Sequence, residues 1–306
     1  MANSNGWGDG AANNAIGWGQ GANNSISWGK SHSLSNAGAT DIVGLTTDAD
    51  AQAFITAAAI TDATQQSAID TLVKGLKTDG VWTKMKAIYP FVGGTASTHK
   101  YNLKDPRDLD AAFRLVFNGG WTHSSTGATP NGTNGYADTK LVPSSVLSSI
   151  NNLHLSHYSR TQNSSTSGWN MGVDTTSPNI GYLNLSQYWA SVTSKLFNNG
   201  LYPTYIAAAN NSNTLGLAIG NVPSSVLRKL HFNGAILNTT TNTSPTNLPN
   251  TSLFIGSGRN STTGLAADFT PHQNAFTSIG DGLTDTEASN LYTRVQAYQT
   301  ALSRNV

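Results

Sequence analysis

From residue 81 onward, apolar positions recur every second residue in short runs, the period of a strand with one buried face. In AAFRLVFN (111–118), Phe113, Leu115 and Phe117 fall on one side and Arg114 and Val116 on the other, which predicts a strand. In TLGLAIG (214–220), Leu215, Leu217 and Ile219 alternate with Gly216 and Ala218. In LHFNGAIL (230–237), Asn233-Gly234 sits between two apolar runs, the residue pair that a tight hairpin turn asks for. Clusters of Gly, Asn, Ser and Thr at 124–135, 161–168 and 238–252 predict long polar loops. Many short strands joined by such loops point to an all-β sandwich or jelly roll and away from a parallel sheet.

Two segments carry a helical period instead. Asp62 is placed to cap a helix, with Gln65 three residues on and Ile69, Leu72, Val73 and Leu76 forming one apolar stripe. That helix is predicted to end near Asp79-Gly80. Near the end of the chain, Thr284 and Glu287 make a capping box. Ala288, Leu291, Tyr292, Val295, Tyr298 and Leu302 then share one face, predicted to pack on the sandwich and close it.

The opening of the chain follows neither period. NGWGDGAANN (5–14) is echoed by IGWGQGANN (16–24) and by ISWGKS (26–31), a repeat too short for a helical or propeller unit. Each unit offers one indole and no core of its own. Trp7, Trp18 and Trp28 are therefore expected to need an outside surface, for docking or oligomerisation. The alternative is a disordered, low-complexity tail. The expected organisation is a Trp-Gly arm at 1–46, a helical connector at 47–80, and a sandwich at 81–306 closed by the terminal helix.

Composition narrows the function classes. Charged residues are 11% of the 306, against about a quarter in an ordinary soluble domain. Hydrophobic residues at 38%, with 7 Trp, 10 Tyr and 9 Phe, argue against disorder of the whole chain. A net charge of +1 gives no basis for a nucleic-acid partner, which needs a concentrated basic face. No apolar run approaches the ~20 residues of a membrane span. Met1-Ala2-Asn3-Ser4 lacks the positive and apolar regions of a secretory signal, so an exterior role would imply release by lysis. The absence of cysteine decides little.

Candidate chemistry is sparse. Glycoside hydrolysis ordinarily needs two facing carboxylates. The chain has one glutamate, Glu287, and its capping position explains it. The dense acidic group is Asp105, Asp108 and Asp110. In an extended DPRDLD, Asp108 and Asp110 share a side and could offer oxygen ligands to Ca²⁺; the alternative is solvated turn residues around Pro106. The seven histidines show no zinc spacing, and in a strand His154 and His157 point to opposite faces. No nucleophile-elbow string and no phosphate-cradling loop occur. The expectation is no catalytic residue, no cofactor and no enzyme. For sugar contact, the excursion after 117 offers Trp121, His123, Asn131, Asn134 and Tyr136. The alternative is that Trp121 plugs the sandwich edge. Trp169 is a weaker candidate, and Trp189 is expected in the core.

The blocks FRLVFNGGWTHSSTGATPNGTNGYADTKL (113–141), LHLSHYSRT (153–161), LHFNGAIL (230–237) and NAFTSIGDGLTDTEASNLYTRVQAYQTALSR (274–304) resemble the concanavalin A-like, laminin-G-type domains of phage structural proteins. The Trp-Gly opening is similar to the start of many virion proteins from tailed phages of the Bacteroidetes, crAss-like phages included. The resemblance implies a concanavalin A-like jelly roll on a capsid- or tail-attached fibre at the exterior of a virion. It further implies a homo-oligomer, with a trimer favoured over a dimer, other virion proteins as partners, and contact with a host surface glycan. The glucanase branch of that fold carries Glu-x-Asp-x-x-Glu on one strand, which a chain with one glutamate cannot supply.

Overall fold

The computed structural model describes residues 47–162, 166–173, 182–189, 194–198, 206–208, 213–241, 247–260 and 262–306; Trp7, Trp18 and Trp28 lie outside them. The described chain is mostly antiparallel β-sheet. Its helices are α1 (Ala49–Ala57), α2 (Ala63–Thr78), α3 (Ala96–His99), α4 (Pro143–Val146) and α5 (Asp285–Ala301). The strands begin with β1 (Met85–Tyr89), β2 (Val116–Asn118), β3 (Trp121–Ser124), β4 (Gly127–Pro130), β5 (Tyr136–Asp138) and β6 (Leu153–Ser159). Next come β7 (Met171–Val173), β8 (Leu183–Trp189), β9 (Ser194–Asn198), β10 (Ile206–Ala208), β11 (Gly216–Ser224) and β12 (Leu227–Phe232). The last are β13 (Ala235–Thr240), β14 (Phe254–Ile255), β15 (Gly258–Arg259), β16 (Ala266–Ala267) and β17 (Asn274–Gly280).

Two sheets face each other. The eight-stranded sheet runs β13-β12-β11-β6-β17-β4-β3, with β1 also paired to β17. The seven-stranded sheet runs β10-β9-β8-β7-β14-β5-β2. Alternation along the central strands sorts the side chains into two cores. Leu153 and Leu155 of β6, Ala218 of β11 and Ile279 of β17 point between the sheets. There they meet Met171, Val173, Leu183, Leu185, Phe197 and Ile255. Tyr158, Leu217, Ile219 and Phe276 point the other way and form a second cluster with the helices.

The helices follow their sequence logic. Asp62 caps α2 by accepting from Gln65 N at 2.8 Å, and the Ile69–Leu72–Val73–Leu76 stripe is buried. Gln65 does not return the bond; its Oε1 accepts from Gly93 N at 2.9 Å. In α5 the capping box is complete, with Glu287 N on Thr284 Oγ1 at 3.2 Å and Thr284 N on Glu287 Oε2 at 2.7 Å. Ala288, Leu291, Val295 and Tyr298 are buried, with Tyr292 and Leu302 packed at the margin. Residues of α1, α2 and α5 thus share one core with the outer face of the eight-stranded sheet.

The hairpin at Asn233-Gly234 forms as its residues require. The two have φ of +47° and +82°, joining β12 to β13. A Cβ on Gly234 would also lie 2.8 Å from Tyr292 Cδ1. The strand expected over 111–118 is shorter than its pattern. Phe113 ends a 3-10 turn at φ +61°, and only Val116–Asn118 extends. The turn wins because Leu115 N is bonded to Lys100 O at 2.8 Å and Phe113 O is taken by Tyr89 Oη at 2.6 Å, which holds that stretch off any strand.

Candidate functional site

The residues first singled out for sugar contact gather in one corner, but their polar atoms serve the fold. Trp121 opens β3, and its indole N–H donates to Asn118 O at 3.1 Å and to Tyr136 O at 3.2 Å. The plug reading therefore describes it. Asn131 Oδ1 accepts from Thr133, Asn134 and Gly135 N at 3.0 Å each. Its Nδ2 donates to Asn134 Oδ1 at 2.8 Å, which also accepts from Gly120 N at 2.9 Å. Tyr136 stacks on Phe254 with centroids 4.5 Å apart. What looked like one loop is a crossing between sheets: β3 and β4 belong to the larger and β5 to the smaller.

His123 closes this corner. Gly94 N donates to His99 Nε2 at 3.2 Å, so the His99 proton sits on Nδ1 and is given to His123 Nδ1 at 2.9 Å. Burial, with the neighbouring His123 and Arg304, pushes His99 down to about 3. Burial lowers His123 as well. Both rings are neutral near pH 7, with the remaining proton of His123 on Nε2. The ring of His123 meets Phe117 edge-on at 4.6 Å, and the corner is an aromatic buttress.

The acidic group is equally committed. Asp110 starts a 3-10 turn rather than continuing a strand, so it does not share an extended face with Asp108. Arg114 reaches Asp110 at 2.8 Å and Asp108 at 2.9 Å; Lys100 also holds Asp108, and Arg107 holds Asp105. Hydrogen bonds from Lys100 and Arg114 hold the Asp108 carboxyl below its ordinary range. Among the described residues no group of three or more His, Asp or Glu side chains is set to hold a metal.

A second group lies at the end of β8, where Trp169, the weaker sugar-contact candidate of the sequence, meets two residues the pattern did not single out for that role, Trp189 and Asp268. Trp189, expected in the core, is only half-buried and packs against Trp169 with centroids 4.7 Å apart and the two rings tilted by 32°. Gly168 bridges to Tyr188 and brings the two indoles together across 20 residues of chain. Asp268 anchors Trp169: its carbonyl accepts the backbone N–H at 2.9 Å and its Oδ2 the indole N–H at 3.1 Å. Gly258 permits the packing, since a Cβ there would come within 2.8 Å of Trp169 Cδ1. Asp268 itself is exposed, at φ +54°, a conformation that Asp tolerates better than most side chains.

Beneath the indoles runs a buried polar seam between the sheets. Asn170 Oδ1 accepts from Gln187 N at 2.6 Å, which orients the amide so that its Nδ2 donates to His272 Nδ1 at 2.8 Å. Gln187 Oε1 lies 2.7 Å from His157 Nδ1, whose other nitrogen is 2.8 Å from Asn274 Oδ1. His272 Nε2, Thr270 Oγ1 and Ser257 Oγ are buried without a hydrogen-bond partner in the structure. A part-exposed aromatic pair with an exposed carboxylate bonded to one of its rings has the components of a carbohydrate contact.

The other side-chain carboxylates among the described residues are spoken for. Asp48, Asp50, Asp70, Asp79, Asp105, Asp108, Asp110, Asp138, Asp281 and Asp285 each meet a Lys or Arg. Asp62 and Glu287 cap helices. Among the described residues, Asp268 is the side-chain carboxylate with neither kind of partner.

No protein-family model and no curated protein matches the chain. Solved structures superpose loosely. Domain 4 of a GH43 extracellular arabinanase from Geobacillus stearothermophilus, in complex with arabinotriose, gives a TM-score of 0.46 at 16% identity, over 68% of this chain and 98% of that domain. A Trypanosoma rangeli sialidase in complex with 2,3-difluorosialic acid gives 0.47 at 12%, over 74% of this chain and 38% of the sialidase. The binding domain of botulinum neurotoxin DC, in complex with rat synaptotagmin II, gives 0.49 at 9%, over 70% and 52%. At such scores the ligands of these neighbours say nothing of this chain.

Proposed function

We propose that the chain is a non-catalytic attachment protein of a bacteriophage particle. Its concanavalin A-like sandwich faces outward and touches host surface glycan through Trp169, Trp189 and Asp268. The observation that carries the sugar-contact part is the half-exposed indole pair, fixed by two hydrogen bonds to one exposed aspartate. A pyranose presents C–H bonds on one face, which suit an indole π-face, and hydroxyls at its edge, which suit a carboxylate. The commitment of the other described carboxylates to cations and caps supports a binding role over hydrolysis. The placement on a virion is supported by the resemblance of four sequence blocks and of the Trp-Gly opening to phage structural proteins. In this reading Trp7, Trp18 and Trp28 dock the arm on the particle or knit subunits into a homo-oligomer, with three chains favoured over two.

Two measurements test the proposal. On immobilised host polysaccharides, the full chain should bind and Trp189→Ala should not. Binding that survives this change, or no binding to any host glycan, would overturn the sugar-contact role. Deleting residues 1–45 should change the mass in solution and prevent incorporation into particles. Unaltered mass and incorporation would overturn the docking role.

A further inference from the structure

Resting on that reading of the Trp169–Trp189 site, we infer that it selects uncharged hexopyranoses and rejects the corresponding uronic acids. The inference follows from charge. Asp268 Oδ2 receives the Trp169 indole N–H, and Oδ1 has no partner among the described residues, leaving it to accept from a sugar hydroxyl. Among the described residues no Lys or Arg forms an ion pair with this carboxylate. Arg259, in the strand paired with the one that leads into Asp268, turns elsewhere: its Nη1 donates to Ser252 Oγ and its guanidinium lies 4.9 Å from the Phe254 ring centroid. A sugar carboxylate stacked on the indoles would face both the negative Asp268 and the negative π-faces. The hydroxyls of a neutral sugar meet an acceptor instead.

A groove with positive groups elsewhere on the sandwich offers no substitute for acidic sugars. A groove of about 360 Å³ is lined by Ala96, Ser97, Lys100, Arg114 and Phe117. Both its cations are already neutralised by Asp108, and Arg114 by Asp110 as well. Discrimination by charge at the indole pair should therefore trace to Asp268.

The test is calorimetric titration of the full chain, at low salt and pH 7, with methyl glucoside, galactoside and mannoside against methyl glucuronide and galacturonide. The neutral sugars should bind at least about tenfold more tightly than the uronides, a difference of about 1.4 kcal/mol. Asp268→Asn, which removes the charge at an exposed position, should narrow the ratio to about threefold or less. Trp189→Phe, which keeps an aromatic face, should weaken both classes alike and leave the ratio in place. Uronides that bind as well as neutral sugars, or a preference that Asp268→Asn leaves untouched, would overturn the charge selection while leaving sugar contact intact. Failure of every sugar to bind would overturn the attachment reading with it.

Discussion

Trp169 spends both of its N–H groups on Asp268, one on the main-chain carbonyl and one on the carboxylate. The residues are 99 apart in sequence. Their clamp fixes one ring of the indole pair, against which Trp189 packs. Trp169→Phe keeps an aromatic ring and removes the second donor. Because the bond is solvent-accessible, unfolding stability should fall by only about 0.5–1.5 kcal/mol. Sugar affinity should fall further than stability, since the ring loses its orientation. Urea unfolding and titration on the same variant separate the two effects.

The buried histidines predict a specific acid sensitivity. Burial pushes His154 and His157 down to about 4 and His272 to about 3, with nearby His157 and Lys195 adding to the effect on His272. Folded pKa values below the unfolded value of about 6.5 mean that the unfolded chain binds more protons as pH falls. Stability contributed by these groups is therefore complete above about pH 6.5 and is lost between that pH and about 4. Each displacement is worth on the order of 3–5 kcal/mol at most. Unfolding midpoints measured from pH 8 to pH 4 should fall steeply below 6.5. A flat profile would mean that the rings are not buried neutral.

His157 carries a tension of its own. Both its nitrogens face oxygens, and both amides are held in place: Gln187 Nε2 donates to Gly216 O at 2.9 Å and Asn274 Nδ2 to Ala128 O at 3.2 Å. A neutral ring supplies one N–H for two acceptors; desolvation outweighs the second bond. Asn274→Asp would supply the missing counter-charge. It should raise the His157 pKa above its ordinary value of about 6.5, read by the pH dependence of the ring ¹H–¹⁵N signals.

Two buried cations have opposite expected responses to removal. Arg304 is 1% exposed and donates to Gln299 Oε1, Phe91 O, Pro90 O and Ala275 O at 2.8–3.1 Å, tying the chain end to β17 and to the segment after β1. Arg304→Ala strands those acceptors and should cost about 3–5 kcal/mol. Lys195 is fully buried; it donates to Asn213 O and lies 3.9 Å from the Phe232 ring centroid, and burial pushes it down to about 8. Its unfolded value of about 10.5 is higher, so below pH 8 the charge opposes folding. Lys195→Met should stabilise the protein by about 1–3 kcal/mol at pH 7. Thermal unfolding of the two variants checks both signs.

Much of the fold was legible in the sequence; of the site, only Trp169 was, as a weaker candidate. Caps, the Asn233-Gly234 turn and alternation at Leu217–Ile219 are local signals, set by residues within a few positions of one another. The 111–118 pattern misled because bonds to Lys100 and Tyr89, more than ten residues away, override its period. Asn131 and Asn134 looked like free amides because nothing in a sequence reveals that their oxygens accept from neighbouring backbone. The Trp169–Trp189–Asp268 group depends on three segments meeting, and each tryptophan alone carries no mark of a partner. Trp189 sits in a regular stretch, LSQYWASV, which is why it reads as core; the six residues before it are indeed buried, but the strand ends at Trp189 itself.

A crystal structure of the chain soaked with the tightest-binding neutral hexopyranoside tests the sugar site most directly. The sugar ring should lie on Trp189 within van der Waals contact, with a hydroxyl donating to Asp268. A sugar seated instead against Trp121 and His123, or an indole pair left bare at saturating ligand, would contradict it.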